Sequence, residues 1–117
     1  MSIRKIPFAQ DEYYHLYNRG NNKREIFHDY LDYDHFLRLL YLANSDKSFR
    51  IDRIDDVYST ERGTKLVFIG AYCSMPNHFH ILIKQSEDGG ISKFMHKLLT
   101  AYSMYYNIKY ERVGGIF

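Results

Sequence analysis

The chain has 117 residues, 45% of them hydrophobic and 26% charged, a globular balance that argues against global disorder and fits one domain spanning 1–117. Sixteen Lys and Arg against fourteen Asp and Glu leave a net charge of +2, compatible with a nucleic-acid partner without requiring one. The apolar run Leu66–Ala71 is far too short to cross a bilayer, Met1–Gln10 lacks the apolar core of a signal peptide, and the single cysteine excludes an internal disulfide; the expectation is a cytoplasmic protein with no membrane partner. Twelve Tyr and eight Phe with no Trp serve packing, base stacking or nucleophilic attack, and composition does not choose among these.

In chain order, Tyr13–Arg19 alternates as a strand, with Tyr13, His15 and Tyr17 on one face and Tyr14, Leu16 and Asn18 on the other. Gly20-Asn21-Asn22 is turn chemistry, bracketed by Arg19, Lys23 and Arg24. Tyr33, Phe36, Leu37 and Leu40 fall on one face of a helix predicted over Leu31–Asn44, with Asp29 or Asp32 at its start. Lys47–Thr64 reads as a charged connection with room for a short strand. A β-branched and aromatic strand over Lys65–Cys73 turns at Ser74-Met75-Pro76-Asn77 into a second over Asn77–Gln85, an antiparallel hairpin. After Glu87-Asp88-Gly89-Gly90, the residues Ile91, Phe94, Met95, Leu98, Leu99, Tyr102, Tyr105 and Tyr106 trace a long helix, and Gly114-Gly115 ends it. The order β-α-β-β-α predicts an α+β fold. It is a ferredoxin-like or RRM-like antiparallel sheet with two helices on one face, its last strand truncated or just beginning at the C-terminus.

The segment Asn77-His78-Phe79-His80-Ile81-Leu82-Ile83 carries the sharpest chemistry. Strand alternation turns His78 and His80 to one face and Phe79, Ile81 and Ile83 to the other. Two neutral imidazoles so placed can share one divalent metal ion; the plainer reading is two surface histidines on a half-exposed sheet.

The longer stretch Ala71–Ile83, with its Met-Pro-Asn-His-Phe-His core, resembles the signature of the IS200-like and REP-associated tyrosine transposases, within the His-hydrophobic-His nuclease group. Tyr14-His15-Leu16-Tyr17-Asn18-Arg19-Gly20-Asn21 resembles the family's first strand and loop. Arg24-Glu25-Ile26-Phe27 followed by Phe36-Leu37 resembles the run into its first helix. Tyr102–Asn107 and Arg112–Phe117 resemble the end of its second helix and the step beyond. The resemblance implies a DNA transposase that cleaves and rejoins single-stranded or hairpin DNA, with Mg²⁺ or Mn²⁺ held by His78 and His80. It also implies a 5′-phosphotyrosine link and a homodimer. The family's nucleophile lies in a later helix, in a Tyr-x-x-x-Asn or Tyr-x-x-x-Gln pattern that also completes the metal site. That pattern is missing near the C-terminus, since Asn107 follows Ser103 by four positions. The expectation is a chain lacking that helix, as a truncated piece or a gene remnant, or one in which an internal tyrosine substitutes. Tyr102 is the best-placed substitute, although its apolar spacing favours core packing.

Arg19, Asn21, Lys23 and Arg24 are candidates for DNA contact, against the plainer reading of a solvated turn. If the Tyr13–Arg19 strand neighbours the His78 strand, the face of Tyr13, His15 and Tyr17 could support the metal or stack a base; equally, that row is core. Lys93, His96 and Lys97 lie on the polar side of the second helix, either solvated or part of a DNA track. His28 and His35 read as structural or solvated, and Cys73 as a small buried hydrophobe. Two readings compete with the transposase. One is a ferredoxin-like module that binds single-stranded nucleic acid on its tyrosines without chemistry. The other is a structural zinc site, which the absent four-ligand spacing disfavours.

Overall fold

The computed structural model describes residues 8–117, so residues 1–7 of the segment judged for a signal peptide lie outside it. Five main elements follow the predicted order: β1 (Tyr13–Arg19), α1 (Tyr30–Leu42), β2 (Val67–Met75), β3 (His78–Gln85) and α2 (Gly90–Lys109). The sheet is antiparallel in the order β1-β3-β2, which makes the histidine-bearing β3 its central strand.

Both helices cover the same sheet face. Phe79, Ile81 and Ile83 are fully buried under Phe36, Leu39, Phe94, Leu98 and Tyr102. The rings of Phe36 and Phe79 stand 5.0 Å apart, and Phe36 meets Tyr102 edge-on at 5.7 Å. Burying these aromatic and branched side chains is the main source of stability, at about 25 cal/mol per Å² of apolar surface removed from water.

Local chemistry sets the element ends. Asp29 caps α1, its carboxylate accepting the Asp32 N–H at 3.0 Å. α1 stops two residues before the predicted Asn44 because that side chain is used elsewhere. The buried Asn44 amide accepts from Leu66 and Val67 N–H and donates to the Val67 carbonyl, stitching the helix end to the start of β2. The charged connection contains two short 3₁₀ turns, Ile51–Arg53 and Val57–Ser59, in place of the short strand for which the sequence left room. In the turn after β1, positive φ falls on Asn22 and Lys23. Gly20 serves a different need: a Cβ there would lie 2.3 Å from the Arg24 carbonyl oxygen.

Cys73 is a correction. It is exposed, not buried. A bulge at Gly70 shifts the register between Ile69 and Ala71 and reverses the alternation of β2. Val67 and Ile69 face the helices, whereas Ala71, Cys73 and Met75 pair with Leu82, His80 and His78 on the open face.

After α2 the chain turns at Gly114, whose carbonyl accepts from the Asn107 side chain, and runs as a tail to Phe117 without regular secondary structure, so the strand expected to begin there is not formed. Asn21 holds that tail, its backbone N–H donating to Ile116 O and its amide to Gly115 O. A buried ion cluster joins the start of α1 to the end of α2. Asp32 accepts from Lys109 Nζ (2.8 Å), Tyr105 Oη (2.7 Å), Tyr110 Oη (2.6 Å) and the His28 N–H (2.8 Å). Burial pushes the Asp32 carboxyl up, but these donors outweigh it and hold the group at about 2.

Candidate metal centre and nucleic-acid face

Among the described residues the other sheet face is left bare, and β3 projects His78, His80, Leu82 and Lys84 from it. The imidazoles of His78 and His80 are half-buried, with centroids 5.0 Å apart and planes nearly perpendicular. That separation is compatible with both rings binding one ion at about 2.1 Å from each nitrogen.

A neighbour engages one nitrogen of each ring. His78 Nδ1 lies 2.7 Å from Asn77 Oδ1. A carbonyl oxygen only accepts, so Nδ1 carries the proton and Nε2 keeps its lone pair. His80 Nδ1 lies 2.7 Å from Nε2 of His15, on the adjacent strand. When His80 Nδ1–H donates to His15, the His80 Nε2 is also left as a free donor atom. Ligating histidines are commonly oriented in this way by a partner on the second nitrogen. Desolvation against the sheet, then the proximity of His15 and His78, holds His80 below the usual histidine range, which favours the neutral, ligating ring.

β1 supplies the flank. Register pairs Tyr17 with His80 and Arg19 with His78. The Tyr17 ring lies 5.0 Å from His80 and 5.5 Å from His78, and is about half exposed. The Gly20–Phe27 loop is fastened beside this end of the sheet by Gly20 N–H to Asn77 O and by Ile26 and Phe27 N–H to Pro76 O.

The predicted DNA residues divide into two groups. Arg19 is exposed next to His78, and Lys23 is exposed in the adjoining loop. Asn21 and Arg24 hold each other at 3.2 Å, and Asn21 also binds the C-terminal tail. Lys93 and Lys97 lie on α2, in the helical layer and away from the imidazoles. Lys97 Nζ donates to the carbonyls of Ser45 and Lys47, closing the end of α1. Burial pushes its ammonium below the ordinary lysine range.

Tyr102 is fully buried on the helix side of the sheet, its hydroxyl donating to Ile26 O at 2.5 Å. Burial pushes its pKa far above the ordinary tyrosine value, opposite to what a nucleophile needs. His28 bonds Tyr106 Oη at 2.8 Å, and His35 stacks on Tyr105 at 3.8 Å, pushed down to about 4 by burial and by Arg38.

The sequence offered His15 and Tyr17 as support for the metal only if their strand neighbours that of His78, which it does; the orienting role of Asn77 was missed. The signal available for Asn77 was its place immediately before His78. Among the described residues, no group of three or more His, Cys, Asp and Glu is arranged to hold a metal ion. The centre is thus an open pair of imidazoles. A cleft of about 940 Å³ lies elsewhere, between the outer faces of α1 and α2, lined by Phe49, Ile51, Met104 and Ile108.

A family model described as transposase IS200 like matches residues 9–115, almost the whole chain, and the chain belongs to that family. No curated protein and no solved structure matches it. No helix among the described residues is long and apolar enough to cross a membrane.

Proposed function

We propose that this transposase-family domain binds Mg²⁺ or Mn²⁺ through His78 and His80 and acts on single-stranded or hairpin DNA by cleavage and rejoining. The observation that carries the reading is the engagement of Nδ1 on both rings, which leaves their Nε2 atoms available on an uncovered face. The donor set fits: neutral imidazoles suit such ions, and the open positions leave room for phosphate oxygens. When bound, the cation would polarise the scissile phosphate and orient it.

The chain's own groups do the rest. Arg19 offers a cation for an adjacent phosphate, as does Lys23 in the loop beside it. Asn77 holds His78 in its ligating tautomer, and His15 does the same for His80 when it accepts the Nδ1–H. A tyrosine oxygen attacking phosphorus breaks the bond to the 3′ oxygen, which leaves as a hydroxyl, and keeps the 5′ phosphate as a phosphotyrosine. The buried Tyr102 hydroxyl has no path to a phosphate on the far side of the sheet, so we assign the attack to another tyrosine. Among the described residues β1 is an edge strand of the sheet, and we extend the proposal to a homodimer of the single domain.

The burial of Tyr102 also favours a second reading, binding without cleavage. Incubating the protein with end-labelled hairpin DNA and Mn²⁺, then denaturing in detergent, separates the two. A covalent protein–DNA adduct that vanishes in the His78→Ala, His80→Ala double variant supports cleavage. Metal-dependent binding with no adduct supports the second reading. Binding that ignores both the metal and the double substitution rejects the site.

A further inference from the structure

The open face continues past the imidazoles to a second cluster. Tyr13, Lys84 and Phe68 lie directly opposite one another across β1, β3 and β2. Lys84 Nζ sits 5.3 Å from the Tyr13 ring centroid and 5.2 Å from that of Phe68, a cation bracketed by two aromatic rings. Tyr13 is 50% exposed and Phe68 46%, with Leu82 beside them also exposed. The Tyr13 ring reaches across the sheet to the bulge of β2. A Cβ on Gly70 would lie 3.1 Å from Tyr13 Cε1, so the glycine leaves the space this ring occupies. Lys84 is four residues beyond His80 on the same strand, about 13 Å at the usual rise per residue.

Charge narrows the occupant. None of the fourteen Asp and Glu lies in any of these strands, whereas Arg19, Lys84 and the His15, His78 and His80 imidazoles all do. A face of exposed rings and cations without a carboxylate suits a polyanion that also carries flat apolar groups, which describes a single-stranded nucleic acid.

We propose that Tyr13, Phe68 and Lys84 form a base-stacking subsite for a nucleotide neighbouring the phosphate held at His78 and His80. Tyr13 and Phe68 offer ring faces to the base, and Lys84 pairs with the adjoining phosphate. The subsite rests on the functional reading above and extends it to how the strand lies: along β3, from the imidazoles toward Lys84. Stacking tolerates any base, so this subsite contributes affinity and position with little sequence preference.

The test uses fluorescein-labelled oligothymidylate and an abasic backbone of the same length, with fluorescence anisotropy as the readout and Mn²⁺ binding measured in parallel. Tyr13→Ala is expected to weaken oligothymidylate binding roughly tenfold and abasic binding little, while Tyr13→Phe stays close to wild type. Lys84→Met is expected to weaken both ligands and to lower the slope of log affinity against log salt by about 0.7. Far-UV circular dichroism verifies that each variant is folded. If Tyr13→Ala and Phe68→Ala bind oligothymidylate as the wild type does, while Mn²⁺ still binds the imidazoles, the subsite is wrong and the metal reading stands. If these substitutions shift only the sedimentation of the protein, the face is an interface between copies and the proposal falls. If wild type binds neither Mn²⁺ nor oligothymidylate, both readings fall together.

Discussion

Asn77→Ala tests how the metal centre is built. The Asn77 side-chain oxygen accepts from His78 Nδ1 at 2.7 Å, while its backbone carbonyl separately accepts the Gly20 N–H at 2.9 Å. Alanine removes the first contact and keeps the second, so the loop stays fastened and only the ring is released. His78 is then free to change tautomer and to rotate about χ2. Loss of such an orienting partner typically lowers metal affinity by about 10–100-fold, or about 1.4–2.7 kcal/mol. Asn77→Asp retains an acceptor oxygen and is expected to keep affinity near or above wild type. Titration with Mn²⁺, followed by the loss of the free-ion electron paramagnetic resonance signal, measures the dissociation constant directly. If Asn77→Ala binds as tightly as wild type while removal of the histidines abolishes binding, the ring does not depend on Asn77. If Asn77→Asp is as weak as Asn77→Ala with the fold intact, the hydrogen-bond argument is wrong.

Three further predictions concern the core. Asp32→Asn leaves Lys109 facing an uncharged amide in a buried cluster. It is expected to cost about 3 kcal/mol and to lower Tm by roughly 10 °C in thermal unfolding; an unchanged Tm would mean the cluster contributes nothing. The same carboxyl is depressed from 3.8 to about 2 in the folded state, so between those values the unfolded chain binds more protons. Its contribution is complete above about pH 4 and is lost as pH falls toward 2, at most about 2 kcal/mol before solvent screening at the Lys109 rim. Acid titration of stability should be flatter in that window for Asp32→Asn, and an identical acid limb in both proteins would contradict the assignment. Tyr102→Phe removes the hydroxyl donated to Ile26 O and is expected to cost about 1 kcal/mol, with no effect on any covalent DNA adduct. A folded Tyr102→Phe protein that loses the adduct would return Tyr102 to the role of nucleophile.

The sequence was most legible where the pattern is local. The alternation of Tyr13–Arg19 placed β1 at its observed limits, and the step from His78 to His80 put both imidazoles opposite the buried Phe79 and Ile81. Helical spacing placed Phe36, Leu98 and Tyr102 in the core, where they are buried. What was not legible depends on distant pairings. Nothing in the pattern of β1 says that it lies beside β3, so the contact of His15 with His80, sixty-five residues apart, appears only in the fold. The bulge at Gly70 reverses the faces of β2, which is why Cys73, apolar by type, emerges opposite His80. Asn44 and Lys97 have the character of surface residues, but each satisfies backbone groups at the end of α1 or the start of β2.

The central claim is that His78 and His80 offer two free Nε2 atoms to one divalent ion on the bare face of the sheet. Calorimetric titration of the wild-type protein and of the His78→Ala, His80→Ala double variant with Mn²⁺ tests it most directly. The account predicts one site per chain in the wild type and none in the variant, with the two proteins equally folded by circular dichroism. Equal Mn²⁺ binding by both proteins, or none by the wild type, would contradict it.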